Sequence, residues 1–211
     1  MEPYIYVINL KRRTDRYQLF LSSWDAVGLS KERLVQHEAV DGRTLPDAAF
    51  ATFKGVTKNR QRLAGQLGCF LSHVTVIQKA IDSEHFPLLI LEDDAVVTGP
   101  IDLSAILATA PPDARLLYLG GLPVIGRARA KMHADTGFHP LGDIRMYGGH
   151  AYVIPNKSAA AHILEHLQKH QLPFDSSLVR YQKMHPHVYA YSPFVFYQRQ
   201  GISDIEGVVR W

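Results

Sequence analysis

Cysteine is nearly absent from this chain: Cys69 is the single one in 211 residues. A lone thiol excludes an intrachain disulfide framework and fits a reducing compartment. No stretch approaches the roughly 18 apolar residues of a spanning helix, and the N-terminus lacks the pattern of a secretory signal. Charge of one sign is not in excess either. Twenty-three Lys and Arg stand against 20 Asp and Glu, a net charge of +3, and a nucleic-acid binder would show a stronger basic footprint. Basic residues gather only at Lys11–Arg16 and Lys54–Arg62, a distribution suited to a phosphorylated small molecule or an anionic membrane surface. The glycine fingerprint of dinucleotide folds is missing, and so are internal repeats and low-complexity tracts. These absences leave a cytoplasmic protein, at most peripheral to a membrane, forming one domain over residues 1–211.

What is present is dominated by one segment. Residues 88–97 read Leu-Leu-Ile-Leu-Glu-Asp-Asp-Ala-Val-Val, three acids inside an otherwise continuous apolar run. Such a run is what a strand buried on both faces looks like. Ionised carboxylates persist there only when paired with cations, metal or protons. The strand would deliver Glu92, Asp93 and Asp94 to its carboxyl end, where open α/β sheets bind ligands. Three oxygen donors suit a hard divalent cation, Mg2+ or Mn2+, bridging a diphosphate; a plain acidic turn is the competing reading.

Strand and helix patterns alternate around that segment. Tyr4–Asn9 is β-rich, and a helix follows from about Thr14, with Tyr17, Phe20, Leu21 and Trp24 at helical spacing. Leu34–Val40 reads as a second strand ending at Asp41-Gly42. Residues 42–64 are polar and aperiodic, a long loop of the kind that serves as a lid. Gly65–Ser83 is the clearest helix, its apolar face formed by Leu67, Phe70, Leu71, Val74, Ile77 and Ile81. A short helix over Leu103–Ala108 and a strand over Arg115–Leu119 precede a second loop region at residues 122–147. Ala151–Ile154 is a strand, Asn156 a helix N-cap, Phe174-Asp175 the opening of a further helical segment and His187–Tyr191 a late strand. The alternation predicts an α/β three-layer sandwich with a mostly parallel central sheet.

Several other groups could carry chemistry. Arg12, Arg13 and Arg16 follow the first strand, where helix amides and basic side chains meet phosphate, or they form a solvated helix start. Gln66, Cys69 and His73 share one helical strip and could line a site floor, although an i, i+4 Cys–His pair lacks the orienting third group of an activated thiol. His162-Ile163-Leu164-Glu165-His166 matches the H-x-x-E-H zinc-peptidase pattern but falls on the polar side of an amphipathic helix. Asp143, His150 and Asp175 are isolated polar residues near element ends; Asp175 caps a helix or serves as a general base. His185 and His187 flank Pro186 as loop surface or as ligands.

In sequence order, Val7-Ile8-Asn9-Leu10 with Asp15-Arg16, His37-Glu38-Ala39-Val40-Asp41-Gly42, Gly65-Gln66-Leu67-Gly68-Cys69 with Ser72-His73, and Leu91-Glu92-Asp93-Asp94 form four blocks. Tyr118-Leu119-Gly120-Gly121, Gly149-His150-Ala151-Tyr152-Val153-Ile154 and Pro173-Phe174-Asp175 complete a set of seven. So arranged, the chain resembles glycosyltransferase family 25, the lipopolysaccharide and collagen galactosyltransferase group. The resemblance implies a GT-A-like fold and an inverting transfer of galactose, or alternatively glucose, from a UDP-sugar to a glycan or glycolipid acceptor such as a lipooligosaccharide or surface polysaccharide. A non-catalytic sugar-nucleotide-binding subunit of a glycan assembly complex is the reading from another class. By resemblance Asn9, Arg12, Arg16, Asp41, Gln66, His73, Glu92 and Asp93 surround the donor. Asp94 ligates Mn2+ or Mg2+, with Glu92 and His150 as further candidates. Asp175 is the expected base, with Asp143 in reserve. Gln66 stands where the family often has Glu, so this position offers no carboxylate.

Overall fold

A computed structural model describes residues 2–97, 99–126, 128–202 and 209–210, with side chains up to residue 200. In chain order the elements are β1 (Tyr4–Asn9), α1 (Thr14–Ala26), β2 (Leu34–Glu38), α2 (Arg60–Ser83), β3 (Leu88–Glu92), β4 (Ala95–Val97), α3 (Leu103–Ala108) and β5 (Leu116–Tyr118). They continue with β6 (Leu122–Ile125), β7 (Ala128–Arg129), β8 (Gly137–Pro140), β9 (Arg145–Tyr147), β10 (Ala151–Ile154), α4 (Lys157–His170), α5 (Phe174–Met184), β11 (Val188–Ser192) and β12 (Phe196–Gln198).

Seven strands form the central sheet in the order β2-β1-β3-β10-β5-β11-β8. β1 pairs in parallel with β2 and β3, and β5 with β11. β10 runs antiparallel between β3 and β5, and β8 antiparallel at the β11 edge. Five of the seven strands therefore point one way, the mostly parallel sheet that the alternating pattern predicts. Period-two alternation divides the core cleanly. Tyr6, Ile8, Leu88 and Ile90 face α2, α4 and α5, meeting Leu67, Phe70, Ile77, Ile163 and Leu167. Ile5, Val7, Leu89 and Leu91 face the opposite layer, where Phe20, Trp24 and Leu103 of α1 and α3 pack. Leu88 through Leu91 are each 0% exposed, which explains why β3 is continuously aliphatic up to Glu92 rather than alternating.

Two regions differ from the sequence expectation. Residues 42–64 are not one long loop: two 3-10 turns, Gly42–Thr44 and Asp47–Phe50, occupy its first half, and α2 begins at Arg60 rather than Gly65. Arg60, Gln61 and Arg62 are exposed, so the first turn of α2 carries no apolar periodicity to read. Its signal is the cap, where Asn59 Oδ1 accepts from the Arg62 N–H at 3.0 Å. Residues 122–147 hold a three-stranded antiparallel sheet, β7-β6-β9, and the edge strand β8. Their strands are two to four residues long, too short for an alternation to register. Among the described residues no helix is long and apolar enough to cross a membrane.

Candidate functional site

β1 and β3 end side by side, with Ile8 opposite Glu92. Beyond Glu92 the chain turns through Asp93 and Asp94 into β4, and the Asp93 N–H donates to the Ile8 carbonyl at 3.1 Å. Asn9, 1% exposed, fixes this turn from below. Its Nδ2 donates to Asp93 Oδ2 at 2.7 Å and to the Arg13 carbonyl at 2.9 Å, while its Oδ1 accepts from Gln36 Nε2 at 3.1 Å. Arg16, one turn into α1, sets Nη2 2.5 Å from Asp93 Oδ1 and 2.9 Å from Asp94 Oδ2. Burial pushes Asp93 up to about 6; Arg16 and Asn9 pull it down, and Asp94 and Glu92 push it up further.

Asp94 Oδ2 also accepts from Gln198 Nε2 at 3.2 Å, but Asp94 Oδ1 is buried with no hydrogen-bond partner. An unsatisfied buried carboxylate oxygen costs about 1–3 kcal/mol or more. Glu92 follows on the same strand end with its side chain 23% exposed. These are hard oxygen donors facing one cleft, and they fit Mn2+ or Mg2+: Asp94 Oδ1 and the Glu92 carboxylate would hold the ion, while Asp93 is engaged with Asn9 and Arg16.

The cleft above them encloses about 270 Å³. Arg12, Arg13 and Arg16 after β1, Arg43 after β2 and Arg199 after β12 make its wall basic. Asp41 organises part of that wall. Its Oδ2 lies 3.1 Å from Arg12 Nε and 2.6 Å from Arg43 Nη2, and its Oδ1 caps the Arg43 N–H at 3.1 Å. The Arg43 guanidinium, with that backbone N–H and Arg12, holds the Asp41 carboxyl well below the usual range. Asp41 reaches this position because the 3-10 turn after it lies directly on α2. A Cβ on Gly42 would sit 1.8 Å from the Ala64 carbonyl oxygen, and one on Gly68 would sit 2.6 Å from that of Val40.

α2 supplies the floor through Cys69, Ser72 and His73. The His73 ring stacks on Phe174 at 3.7 Å and 3°. Its Nδ1 is 2.9 Å from the Tyr152 hydroxyl and its Nε2 is 3.4 Å from Glu92 Oε1. Burial pushes His73 down to about 3, against the opposing charge of Asp175, so the imidazole is neutral at pH 7. Burial also raises the Tyr152 phenol well above its ordinary value. A protonated phenol can donate to Nδ1 or accept from it, so in either tautomer Nε2 is the nitrogen turned toward Glu92.

Of the residues singled out from sequence, Arg12, Arg16, Asp41, His73, Glu92, Asp93 and Asp94 line this one cleft. Asn9 acts beneath it by holding Asp93. Gln66 does not line it; its Oε1 accepts from the Val56 N–H at 3.3 Å and so ties down the segment before α2. Asp143 is exposed in the turn between β8 and β9, outside the cleft. His150 is 1% exposed and lies behind the wall, close under the backbone of Gly120 and Gly148. Its carbonyl accepts the Glu92 N–H at 3.0 Å. Asp175 is in the first turn of α5, beside Phe174, close enough for its charge to act on His73, Tyr118 and Tyr152. The two histidines of the H-x-x-E-H helix are engaged with protein groups. His162 Nδ1 is 2.9 Å from the Tyr181 hydroxyl, and His166 Nε2 is 3.1 Å from the Ser177 carbonyl oxygen.

Sequence reasoning missed Arg43, Gln198 and Arg199. Only the antiparallel pairing of β12 with β4 brings Gln198 to Asp94, and nothing local in the sequence announces it. The Arg199 N–H donates to the Asp94 carbonyl at 2.7 Å, and its guanidinium to that of Leu19 at 3.0 Å.

The sequence profile of glycosyltransferase family 25 (LPS biosynthesis protein) matches residues 2–113, the part that builds β1 through α3 and all three acids. The chain belongs to glycosyltransferase family 25. It is 34% identical over 167 residues to a putative glycosyltransferase of Acanthamoeba polyphaga mimivirus, a match covering 74% of this chain and 50% of that protein. It is 33% identical over 98 residues to procollagen galactosyltransferase 2 of Homo sapiens, covering 43% of this chain and 15% of that one. The family 25 chain thus spans half or less of these curated relatives. Among solved structures it is similar to a glycosyltransferase involved in glycosylation of the major capsid of PBCV-1, with 10% identity and a TM-score of 0.48 over 90% of this chain and 82% of that one.

Proposed function

We propose that this family 25 chain transfers a hexose, galactose in the first instance, from a UDP-sugar to a glycan or glycolipid acceptor, with inversion at the anomeric carbon and with Mn2+ or Mg2+ bound at Asp94 and Glu92. One observation carries the reading: Asp94, whose Oδ1 is buried and unpartnered, lines a cleft walled by arginines at the carboxyl ends of the parallel strands β1 and β3. That combination suits a cation–diphosphate pair, with acidic oxygens for the ion and guanidinium groups for the phosphates. The named galactosyltransferase relative supports the choice of sugar.

When bound, the cation supplies charge neutralisation for the departing nucleoside diphosphate. The protein's own groups do the rest. Arg12 and Arg43, pre-set by Asp41, and Arg13 present guanidinium groups to the phosphates. Arg16 is braced by Asp93 and Asp94 and costs little reorganisation as charge develops. Asp175 accepts the proton of the attacking acceptor hydroxyl, in the role that a general base requires. The work would take place in the cytoplasm, at a membrane face where the acceptor is a glycolipid.

The test is turnover by the purified chain of a UDP-sugar panel with Mn2+ or Mg2+, with and without saccharide acceptors. UDP-galactose should be consumed only with metal, and Asp94→Asn should lower the rate about 10²–10³-fold. Full transfer by Asp94→Asn, or turnover indifferent to chelation, would overturn the assignment.

A further inference from the structure

The geometry points to a second and softer metal site in this molecule: Cys69, His73 and Glu92 form a thiolate–imidazole–carboxylate site for Zn2+ on the cleft floor. The Cys69 sulfur, a His73 ring nitrogen and a Glu92 carboxylate oxygen all lie within 4.8 Å of one another. Around tetrahedral zinc, with bonds of about 2.0–2.3 Å, ligand atoms sit about 3.3–3.8 Å apart. Side-chain rotation of a few tenths of an ångström to about 1 Å closes the gap. The three residues come from facing elements, α2 and β3, so backbone packing rather than a loop sets their separation.

His73 is oriented as metal-bound histidines are. Phe174 stacks on the ring, and Tyr152 engages Nδ1 at 2.9 Å, so Nε2 is the nitrogen facing Glu92. A fixed outer partner of this kind holds the ring and its tautomer. On loading, His73 keeps its proton on Nδ1, where the Tyr152 oxygen accepts it, and the Cys69 thiol proton leaves to water. All three residues line the cleft, giving the ion a path in, and water would complete a four-coordinate shell. Sulfur and imidazole nitrogen select zinc over Mg2+ or Mn2+, which prefer all-oxygen sites. Zinc binding here stands without the transferase reading. Where that reading holds, the two ions compete for Glu92.

Cys69 is the sole cysteine, which makes the test specific. With the metal-free 211-residue chain, equimolar Zn2+ should slow iodoacetamide alkylation of Cys69 about tenfold or more, and Mg2+ should not. Co2+ should give a thiolate-to-cobalt charge-transfer absorption that Cys69→Ser abolishes. Tyr152→Phe should weaken zinc about 10-fold, while Asp94→Asn should retain it. Unchanged alkylation with Zn2+ overturns the proposal, and this arm uses the native chain, so the folding of a variant cannot obscure it. Wild-type zinc affinity in Cys69→Ser, or zinc lost in Asp94→Asn but kept in Cys69→Ser, also overturns it. In that last case the ion belongs to the oxygen site, and the transferase reading survives.

Discussion

Buried ionisable groups at single positions give this protein opposing responses to acid. His73 titrates near 3, and His37 and His166 near 4, each pushed down from 6.5 chiefly by burial. A histidine lowered on folding binds fewer protons in the native state than in the unfolded one. Its contribution is therefore complete above about 6.5 and is lost as pH falls toward its folded value. Asp93, raised from 3.8 to about 6, has the opposite sign: ionising it is a penalty felt above pH 6 and relieved below. Urea midpoints should accordingly fall between pH 6.5 and 4, with each group limited to about 1.4 kcal/mol per pH unit. His166→Gln should flatten that slope, and Asp93→Asn should steepen it; the reverse pair of results would refute the assignment of signs. At the same scale, Asp175→Asn should reduce transfer about 10²–10⁴-fold. Asp143→Asn, in an exposed turn, should leave both transfer and stability within about 0.5 kcal/mol, a contrast that steady-state rates and thermal melts can read.

At the scale of elements, α2 does most to form the cleft. It offers Cys69, Ser72 and His73 as floor and receives the Gly42 turn on its back. Gly68→Ala would drive a Cβ against the Val40 carbonyl and the Gly42 N–H, and should cost about 1–3 kcal/mol along with looser donor binding through a displaced Asp41. Asn59→Ala removes the α2 cap and should cost about 1 kcal/mol without moving the cleft. A melt in which Gly68→Ala matches the wild type would show that the contact relaxes freely. The body of α2 was legible because Leu67, Phe70, Ile77 and their neighbours repeat at helical spacing, whereas Arg60, Gln61 and Arg62, which open it, are all exposed. β3 and its acids were legible because burial on both faces forces a continuous aliphatic run. The β6–β9 sheet was not, since strands of two to four residues owe their form to pairing rather than pattern. The site divides in the same way. Glu92, Asp93 and Asp94 are neighbours in sequence, but Arg43 and Gln198 join them only through contacts that close long stretches of chain.

The whole molecule is held together by β10. It lies between β3 and β5 with Ala151 through Ile154 each 0% exposed, yet it comes from the half of the chain that follows the 2–113 family match. Without it, β3 would present an unpaired edge that is apolar from Leu88 to Leu91, the kind that recruits other chains. A fragment ending at residue 113 should therefore form oligomers or precipitate when made alone. Co-expression with residues 114–211 should return a monomeric complex by size exclusion, and a monomeric, cooperatively melting 1–113 fragment would contradict this. Tyr152 on that same strand also holds His73, so the floor of the cleft depends on a residue from the second half of the chain. A crossover between two divergent relatives near residue 113 would press one parent's β10 against the other parent's β3. A change in the side chains of β3 thus calls for a matching change in β10, although about sixty residues of chain separate them.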